Sequence, residues 1–325
     1  MIRGALVVAS LFAARIIIAW VGAIDWSAVW DSVARLDLLQ LAWLVALLLL
    51  RQSLNAVPLA RFVPGLSWWR SLNNDLAANL LGTVAPPPSD IVIRVAMFKS
   101  WGIDPVMGMA GVTLNMLAFY IVRFGAPGLA LVVLAFYGFE EGQVGTALLS
   151  LSIALAFAVA VWLVARGEGF ARWLGQLAGR LARRFRPDVD PDVWADSVAD
   201  FRGRMKSTIR TGLPPSLLAM FAMVLVDSFI VFFALRFVGV GSAELDVFQV
   251  VTAFLLAYPL TLLPLFGFGV LDALLVAAYV EMGGAAIEPE VVAALIVWRL
   301  LTIGGPLLLG LLAAAVWKRS ATAAA

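Results

Sequence analysis

The sequence predicts an all-α polytopic membrane protein with about six spanning helices and two re-entrant broken hairpins, arranged as an inverted repeat. Of its 325 residues, 63% are hydrophobic and only 14% are charged, whereas soluble domains carry about 25% charged residues. Apolar stretches of the roughly 20 residues that cross a bilayer recur along the chain. Since no stretch is long or polar enough for a second globular domain, we expect a single membrane domain over residues 1–325.

Six apolar stretches predict spanning helices, at about residues 4–23, 37–58, 106–138, 146–165, 213–238 and 291–317. Arg15 interrupts the first stretch and no clear cleavage site follows it, so we interpret it as a retained helix rather than a signal peptide. The third stretch is overlong and contains Arg123 and Pro127, which predicts one kinked helix.

Two further apolar regions, 71–98 and 249–281, are broken near their middles. The first break holds Pro86, Pro87 and Pro88; the second runs over PLFGFG, which holds Pro264, Gly267 and Gly269. As helices, the arms would measure about 15–22 Å, which is shorter than a hydrocarbon core of about 30 Å. Each region is therefore predicted to enter the membrane, turn and return to the same side.

Basic residues set the predicted orientation. Lys and Arg concentrate in segments that place both termini in the cytoplasm, whereas the predicted outer segments hold only Arg35 among Asp and Glu residues. We expect a multi-pass protein of the inner (plasma) membrane. The region 71–98 then enters from the inside and 249–281 from the outside.

These elements predict an inverted repeat of residues 37–138 and 213–317. The interval from Pro86 to Arg94 equals that from Pro264 to Asp272. Matched positions carry opposite charges, Arg51 with Asp227 and Arg94 with Asp272.

The polar insert at 166–212 separates the two repeats. Within 170–185, apolar residues at helical spacing are bordered by arginines, which is typical of an interfacial helix on an anionic leaflet. Asp190 followed by Pro191 predicts the N-terminus of a second helix, which would end near Lys206. The D-x-D at Asp188–Asp190 resembles a metal-binding motif, but capping is the favoured interpretation.

The first break is a candidate anion site. Non-helical backbone at membrane depth requires burial in protein or a wet cavity, and a central Arg94 is costly unless it is paired or hydrated. We expect Arg94 to meet an anionic group in a cavity walled by both breaks, with the helix N-terminus near Asp90 contributing amides. The alternative is that Arg94 and Asp272 neutralise each other.

Other charged residues in apolar stretches extend this candidate site: the expected substrate-binding residues are Arg94, Asp272, Arg299, Asp227, Arg51 and Asp90. Arg15, Arg123 and Arg236 lie nearer predicted helix ends or a kink, and snorkelling to the surface is the favoured interpretation. Asn79 and Asn115 are interpreted as interhelical contacts, with a cavity role as the alternative.

Several function classes are excluded by residue type. The chain has no Cys and no His, which removes disulfides, thiolate chemistry, His general bases and most transition-metal sites. No phosphate-binding loop or metal cluster is recognisable. We expect no cofactor and no nucleic-acid partner, and the sequence does not decide between a monomer and a homo-oligomer.

Two segments resemble the signatures of the lysylphosphatidylglycerol synthase transmembrane-domain family: NLLGTVAPPPSDIVIR at 79–94, and the segment at 264–301 that contains PLFGFGVLD and ends in WRLL. The resemblance covers most of 37–317. It implies that Arg94, Asp272 and Arg299 match the charged positions of the family, and Asp227 an acidic one. Asp272 stands where the family has Glu, and Asn115 where many members have Arg.

The resemblance implies lipid-translocation machinery of the flippase type, without the synthase domain. We expect a phospholipid or lipid-linked anion as the substrate, with no catalytic residue. One alternative is a membrane glycosyltransferase acting on a polyprenyl phosphate, with Asp90 or Asp272 as its carboxylate. Another is a non-catalytic scaffold for envelope synthesis that docks through the insert.

Overall fold

A computed structural model describes residues 26–137, 143–183, 188, 190–263 and 267–323, and the secondary structure of these residues is helical. The predicted span at 4–23, with Arg15, lies outside the described residues. Four described segments are long and apolar enough to cross a membrane: Leu38–Phe62, Pro105–Leu134, Lys206–Val238 and Ala285–Arg319. They coincide with four of the predicted spans, while the total of six stays a prediction.

The first half contains a short helix that the sequence analysis missed, followed by the elements of the first predicted repeat. The helices are α1 (Trp26–Ala34), α2 (Leu38–Phe62), α3 (Trp68–Val84), α4 (Ser89–Ser100), α5 (Pro105–Tyr137) and α6 (Gln143–Arg166). Asp37 caps α2 reciprocally with Gln40, so the start of this helix is encoded locally. The stretch 106–138 forms one helix, as predicted.

The second half follows with α7 (Glu168–Arg183), α8 (Pro191–Val238), α9 (Val247–Ala257), α10 (Val270–Gly283), α11 (Glu288–Arg299) and α12 (Gly305–Ala323). A 3₁₀ turn at Tyr258–Leu262 follows α9, and a π-helical turn at Leu300–Gly304 joins α11 to α12. Each half thus contains, in sequence, a long helix, two short helices and a further long element. Their inverted relation remains a prediction.

The first hairpin (α3 and α4) breaks at the predicted prolines, between Val84 and Ser89. The second hairpin (α9 and α10) breaks earlier than predicted, because α9 already ends at Ala257. Pro259 in the following 3₁₀ turn has no backbone donor to continue an α-helix.

The two glycines of the second break have the backbone that their lack of a side chain permits. Gly267 and Gly269 adopt φ of 74° and 85°, values that L-residues with a Cβ rarely take. A Cβ on Gly267 would also lie 2.6 Å from the Leu260 carbonyl oxygen. Pro264 lies outside the described residues.

The largest buried cluster joins α2, α5, α8, α9, α10 and α11. Its largest side chains include Phe62, Met220, Phe254 and Tyr279, all fully enclosed. The Tyr279 hydroxyl donates to the Val250 carbonyl oxygen at 3.1 Å, which ties α10 to α9. The second hairpin is therefore anchored in the core.

Helix α8 corrects the prediction of two separate elements. It runs without interruption for 48 residues, a length of about 72 Å, although Pro214 and Pro215 lie inside it. Asp190 accepts a hydrogen bond from the Asp192 amide and begins the helix, as predicted. The helix ends where Gly239 adopts a left-handed conformation.

Helix α7 packs along the N-terminal part of α8, so the insert is a helical hairpin. Its packing face is formed by small residues, since Cβ atoms on Gly175 and Gly179 would lie 2.6 Å from the Cα atoms of Ala195 and Pro191. At one edge Arg172 pairs with Asp196 at 2.7 Å, and the Asp196 carboxylate raises the pKa of the Arg172 guanidinium.

The apolar stripe of α7 is not the face that packs on α8. Trp173 and Leu181 are 48% and 56% exposed. Contact of this stripe with an anionic leaflet stays a prediction.

Replacing Gly175 by Ala should separate α7 from α8 and destabilise the insert by about 1–3 kcal/mol, because backbone occupies the space of the new methyl group. Thermal unfolding of the purified protein, followed by circular dichroism, would measure this. Gly169→Ala is the matched control, since its Cβ meets nothing within 4 Å. Equal stability of the two variants would contradict the packing described.

Candidate functional site

Among the residues that the structure describes, three arginine–aspartate ion pairs lie inside the apolar domain. They are Arg94–Asp75 at 2.8 Å, Arg51–Asp227 at 3.0 Å and Arg299–Asp272 at 2.7 Å. None of the six side chains is more than 20% exposed. Each pair is neutral as a unit, which lowers the cost of holding its charges away from water.

Arg94 joins the two arms of the first hairpin. Its Nη1 donates to Asn74 Oδ1 and its Nη2 to Asp75 Oδ1, both at 2.8 Å. Asn55 on α2 donates to the other Asp75 oxygen at 2.6 Å. Asp75 was missed in the sequence; the signal was the run Asn73-Asn74-Asp75 within an apolar arm.

The alternative that Arg94 and Asp272 neutralise each other is wrong, because each has a separate partner. The packing agrees: α4 lies against α3 and α5, and α10 lies against α9 and α11, while the two hairpins share no extensive contact within the described residues. A cavity walled by both breaks therefore receives no support from a direct hairpin contact.

Arg51 and Asp227 connect α2 to α8. They are the oppositely charged residues at matched positions of the two predicted repeats. Arg51 Nε lies 3.0 Å from Asp227 Oδ2, but it forms no aligned hydrogen bond, so the contact is chiefly electrostatic. Arg51 Nη1 donates to Gln52 at 3.0 Å. The Asp227 side chain is only 3% exposed, and its Oδ1 accepts a hydrogen bond from Trp298 Nε1 at 3.1 Å.

Arg299 is the last residue of α11, directly before the π-helical turn. It donates two hydrogen bonds to the Asp272 carboxylate, from Nε at 2.7 Å and from Nη2 at 3.1 Å. Asp272 Oδ2 also accepts from the Gly269 amide at 2.7 Å. One carboxylate therefore fixes both the arginine and the start of α10 at the second break.

The three pairs form one polar network, whose members are Arg94, Asp75, Asn55, Arg51, Asp227, Trp298, Arg299 and Asp272. Trp298 links two pairs, since it hydrogen-bonds Asp227 and its ring lies 4.3 Å from the Arg299 guanidinium. Arg51 and Asn55 lie one helical turn apart on α2, so the Arg51–Asp227 pair and the Asn55–Asp75 contact meet neighbouring positions of this helix. Arg94 and Asp272 thus occupy opposite ends of the same network.

Asp90 lies apart from the polar network. It is half-buried, and a Cβ on Gly82 of α3 would lie 3.3 Å from the Asp90 Cβ. Among the described residues it has no hydrogen bond or ion pair. No group of three acidic side chains in the described part of the chain could hold a metal ion.

The snorkelling interpretation is wrong for Arg123. Arg123 is only 8% exposed and lies 4.6 Å from the Phe119 ring. Arg236 donates to the carbonyl oxygens of Val240, Gly241 and Leu245 beyond the end of α8. Arg236 therefore reaches past the end of its helix, and its snorkelling to the membrane surface stays a prediction.

The two asparagines do not show the predicted interhelical bonds. The Asn79 side chain accepts a hydrogen bond from Thr83 of its own helix at 3.5 Å. Asn115 Oδ1 is buried without a hydrogen-bond partner among the described residues.

A match to a known protein family covers almost the whole chain. The family model described as the lysylphosphatidylglycerol synthase TM region matches residues 4–310. The chain belongs to this family. No curated protein and no solved structure matches the chain. Membership confirms a membrane domain associated with lipid modification or transport.

Replacing Asp227 by Leu should lower the free energy of unfolding by about 3–5 kcal/mol, because Arg51 would remain as an uncompensated buried charge. Replacing Arg51 and Asp227 by Leu together should recover part of this loss. Thermal and denaturant unfolding in one detergent would measure both.

The exposed pair of Arg172 with Asp196 is the control, and Arg172→Ala should change stability by less than about 1 kcal/mol. Additive losses for the two Leu replacements would contradict a coupled pair.

Proposed function

We propose that the protein binds an anionic phospholipid, or another lipid-linked anion, and moves it across the membrane along the polar network. The observation that carries this proposal is the set of three enclosed Arg–Asp pairs in a domain of this family. The protein acts in this proposal as a transporter without a catalytic residue.

The ion pairs are an expensive way to hold helices together. Buried ion pairs can often be replaced by well-packed apolar residues without loss of stability, and charged residues inside membranes are rare and usually functional. In a domain with this much apolar surface, packing of apolar side chains could join α2 to α8 and α10 to α11 without any charged residue. A role in handling a charged substrate supplies a reason for the pairs.

In the proposed mechanism the aspartates act as internal counter-ions. Arg94 and Arg299 hold the substrate phosphate in turn, since a guanidinium binds phosphate with two parallel hydrogen bonds. Asp75 and Asp272 neutralise these arginines when no substrate is bound. A released carboxylate can engage a cationic group on the lipid head.

The exposed apolar side chains at the hairpin tips support insertion of both hairpins into the membrane. At the first break Val84 and Val92 are 65% and 62% exposed, and at the second Phe268 is 60% exposed. The arms contain 17, 12, 11 and 14 residues, so even the longest measures about 26 Å, short of a core of about 30 Å. Short arms with apolar tips suit two re-entrant hairpins, with the acyl chains remaining in the bilayer.

Replacing Arg94 by Ala should slow the movement of an anionic lipid by about tenfold or more, because a charge-assisted contact of about 1.5–3 kcal/mol is lost. Purified protein in phosphatidylcholine vesicles, with a trace of head-labelled phosphatidylglycerol and an impermeant quencher, measures the rate. Labelled phosphatidylcholine tests selectivity in the same vesicles.

Arg172→Ala is the matched control, since this arginine lies in the insert and should leave the rate unchanged. Arg94→Lys should retain part of the rate. A wild-type rate in Arg94→Ala, with the same amount of folded protein per vesicle, would rule the mechanism out.

A further inference from the structure

Arg123 is a buried cation without a counter-ion in the described part of the chain. It lies within α5 and is 8% exposed. No carboxylate of the described residues lies within the 4.0 Å of an ion pair, and Nε is enclosed without a hydrogen-bond partner. Arg51, Arg94 and Arg299 differ, because each has an aspartate.

The surroundings hold the guanidinium in place but do not neutralise it. The Phe119 and Tyr120 rings lie 4.6 Å and 5.9 Å from its central carbon. Such ring contacts attract a cation, yet they contribute much less than a carboxylate. The Nε atom is enclosed without a hydrogen-bond partner among the described residues.

The second break supplies a hydrogen-bond donor beside Arg123. Helix α5, which carries Arg123, packs against the 3₁₀ turn that contains Tyr258. Tyr258 is 3% exposed, and its hydroxyl makes no hydrogen bond with another described residue. These two donors, neither of which has a hydrogen-bond partner among the described residues, thus lie on elements that pack against each other.

An arginine does not relieve burial by losing its proton, and no carboxylate of the described residues neutralises Arg123, so an anion bound from outside would lower the cost of its burial. We infer that Arg123, with the Tyr258 hydroxyl, forms a second phosphate-binding position beside the second break. Arg123 takes part in none of the ion pairs of the polar network. Its assignment to a lipid phosphate rests on the proposed function.

The charge balance selects a class of substrate. Each of the three pairs of the polar network is neutral as a unit, whereas Arg123 carries one positive charge at its own position. A phosphodiester carries one negative charge and restores neutrality, whereas an ionised phosphomonoester carries nearly two. A phosphodiester lipid such as phosphatidylglycerol therefore fits this position better than a polyprenyl monophosphate.

The experiment measures thermal unfolding of the wild type, Arg123→Met, Arg123→Lys and the control Arg35→Met, whose arginine lies outside the insert and is 56% exposed. Each protein in neutral detergent is titrated with phosphatidylglycerol, phosphatidylcholine or inorganic phosphate. Phosphatidylglycerol should stabilise the wild type, Arg123→Lys and the control. Arg123→Met should need about tenfold more of this lipid for the same rise in midpoint.

Without anionic lipid, Arg123→Met should unfold at a higher temperature than the wild type, because the uncompensated charge is gone. A purely structural arginine predicts the reverse: lower stability of Arg123→Met in every condition and an unchanged response to phosphatidylglycerol. That result would overturn the inference. A response to inorganic phosphate alone would support the anion position and overturn its assignment to lipid.

This inference and the transport proposal fail separately. If the wild type moves no lipid in vesicles but Arg123→Met loses the response to phosphatidylglycerol, only transport is overturned. If the wild type moves lipid and Arg123→Met responds like the wild type, the phosphate position alone is overturned.

Discussion

Charge compensation inside an apolar interior is the constraint on which the arrangement of the helices depends. A charged group at membrane depth is costly unless an opposite charge or a polar group accompanies it. Asp272 shows how closely this constraint and the backbone are connected, since its carboxylate holds both Arg299 and the Gly269 amide. The residue that neutralises the arginine also begins α10, so the second break and the ion pair depend on each other.

Helix α2 carries this compensation between the two halves of the chain. Arg51 faces Asp227 of the second half, while Asn55, one turn further along, contacts Asp75 of the first hairpin. A rotation of α2 about its axis would therefore disturb both contacts together. Since buried polar groups without partners cost free energy, such a rotation would carry the cost of losing both contacts. The two contacts therefore fix the rotation of α2 about its axis.

The sequence predicted the features that short-range chemistry decides. Capping by Asp190, the proline break after Val84 and the glycine conformations at 267 and 269 follow from neighbouring residues. The partners of the charges could not be predicted in the same way, because they depend on how helices rotate and on how deeply they lie. Arg94 pairs with Asp75 on the adjacent arm and not with Asp272, which carries the same charge. Spacing along the chain does not distinguish these two partners.

The distinction between paired and unpaired arginines also bears on how a phosphate could move. A substrate that reaches Arg94 or Arg299 must replace a carboxylate that already forms hydrogen bonds of 2.7–3.1 Å, so the exchange changes the free energy little and remains reversible. At Arg123 no carboxylate of the described residues competes, and binding there gains the full electrostatic attraction. A phosphate would therefore stay longest beside the second break, and its departure to the nearest paired arginine would be the slowest step of its passage.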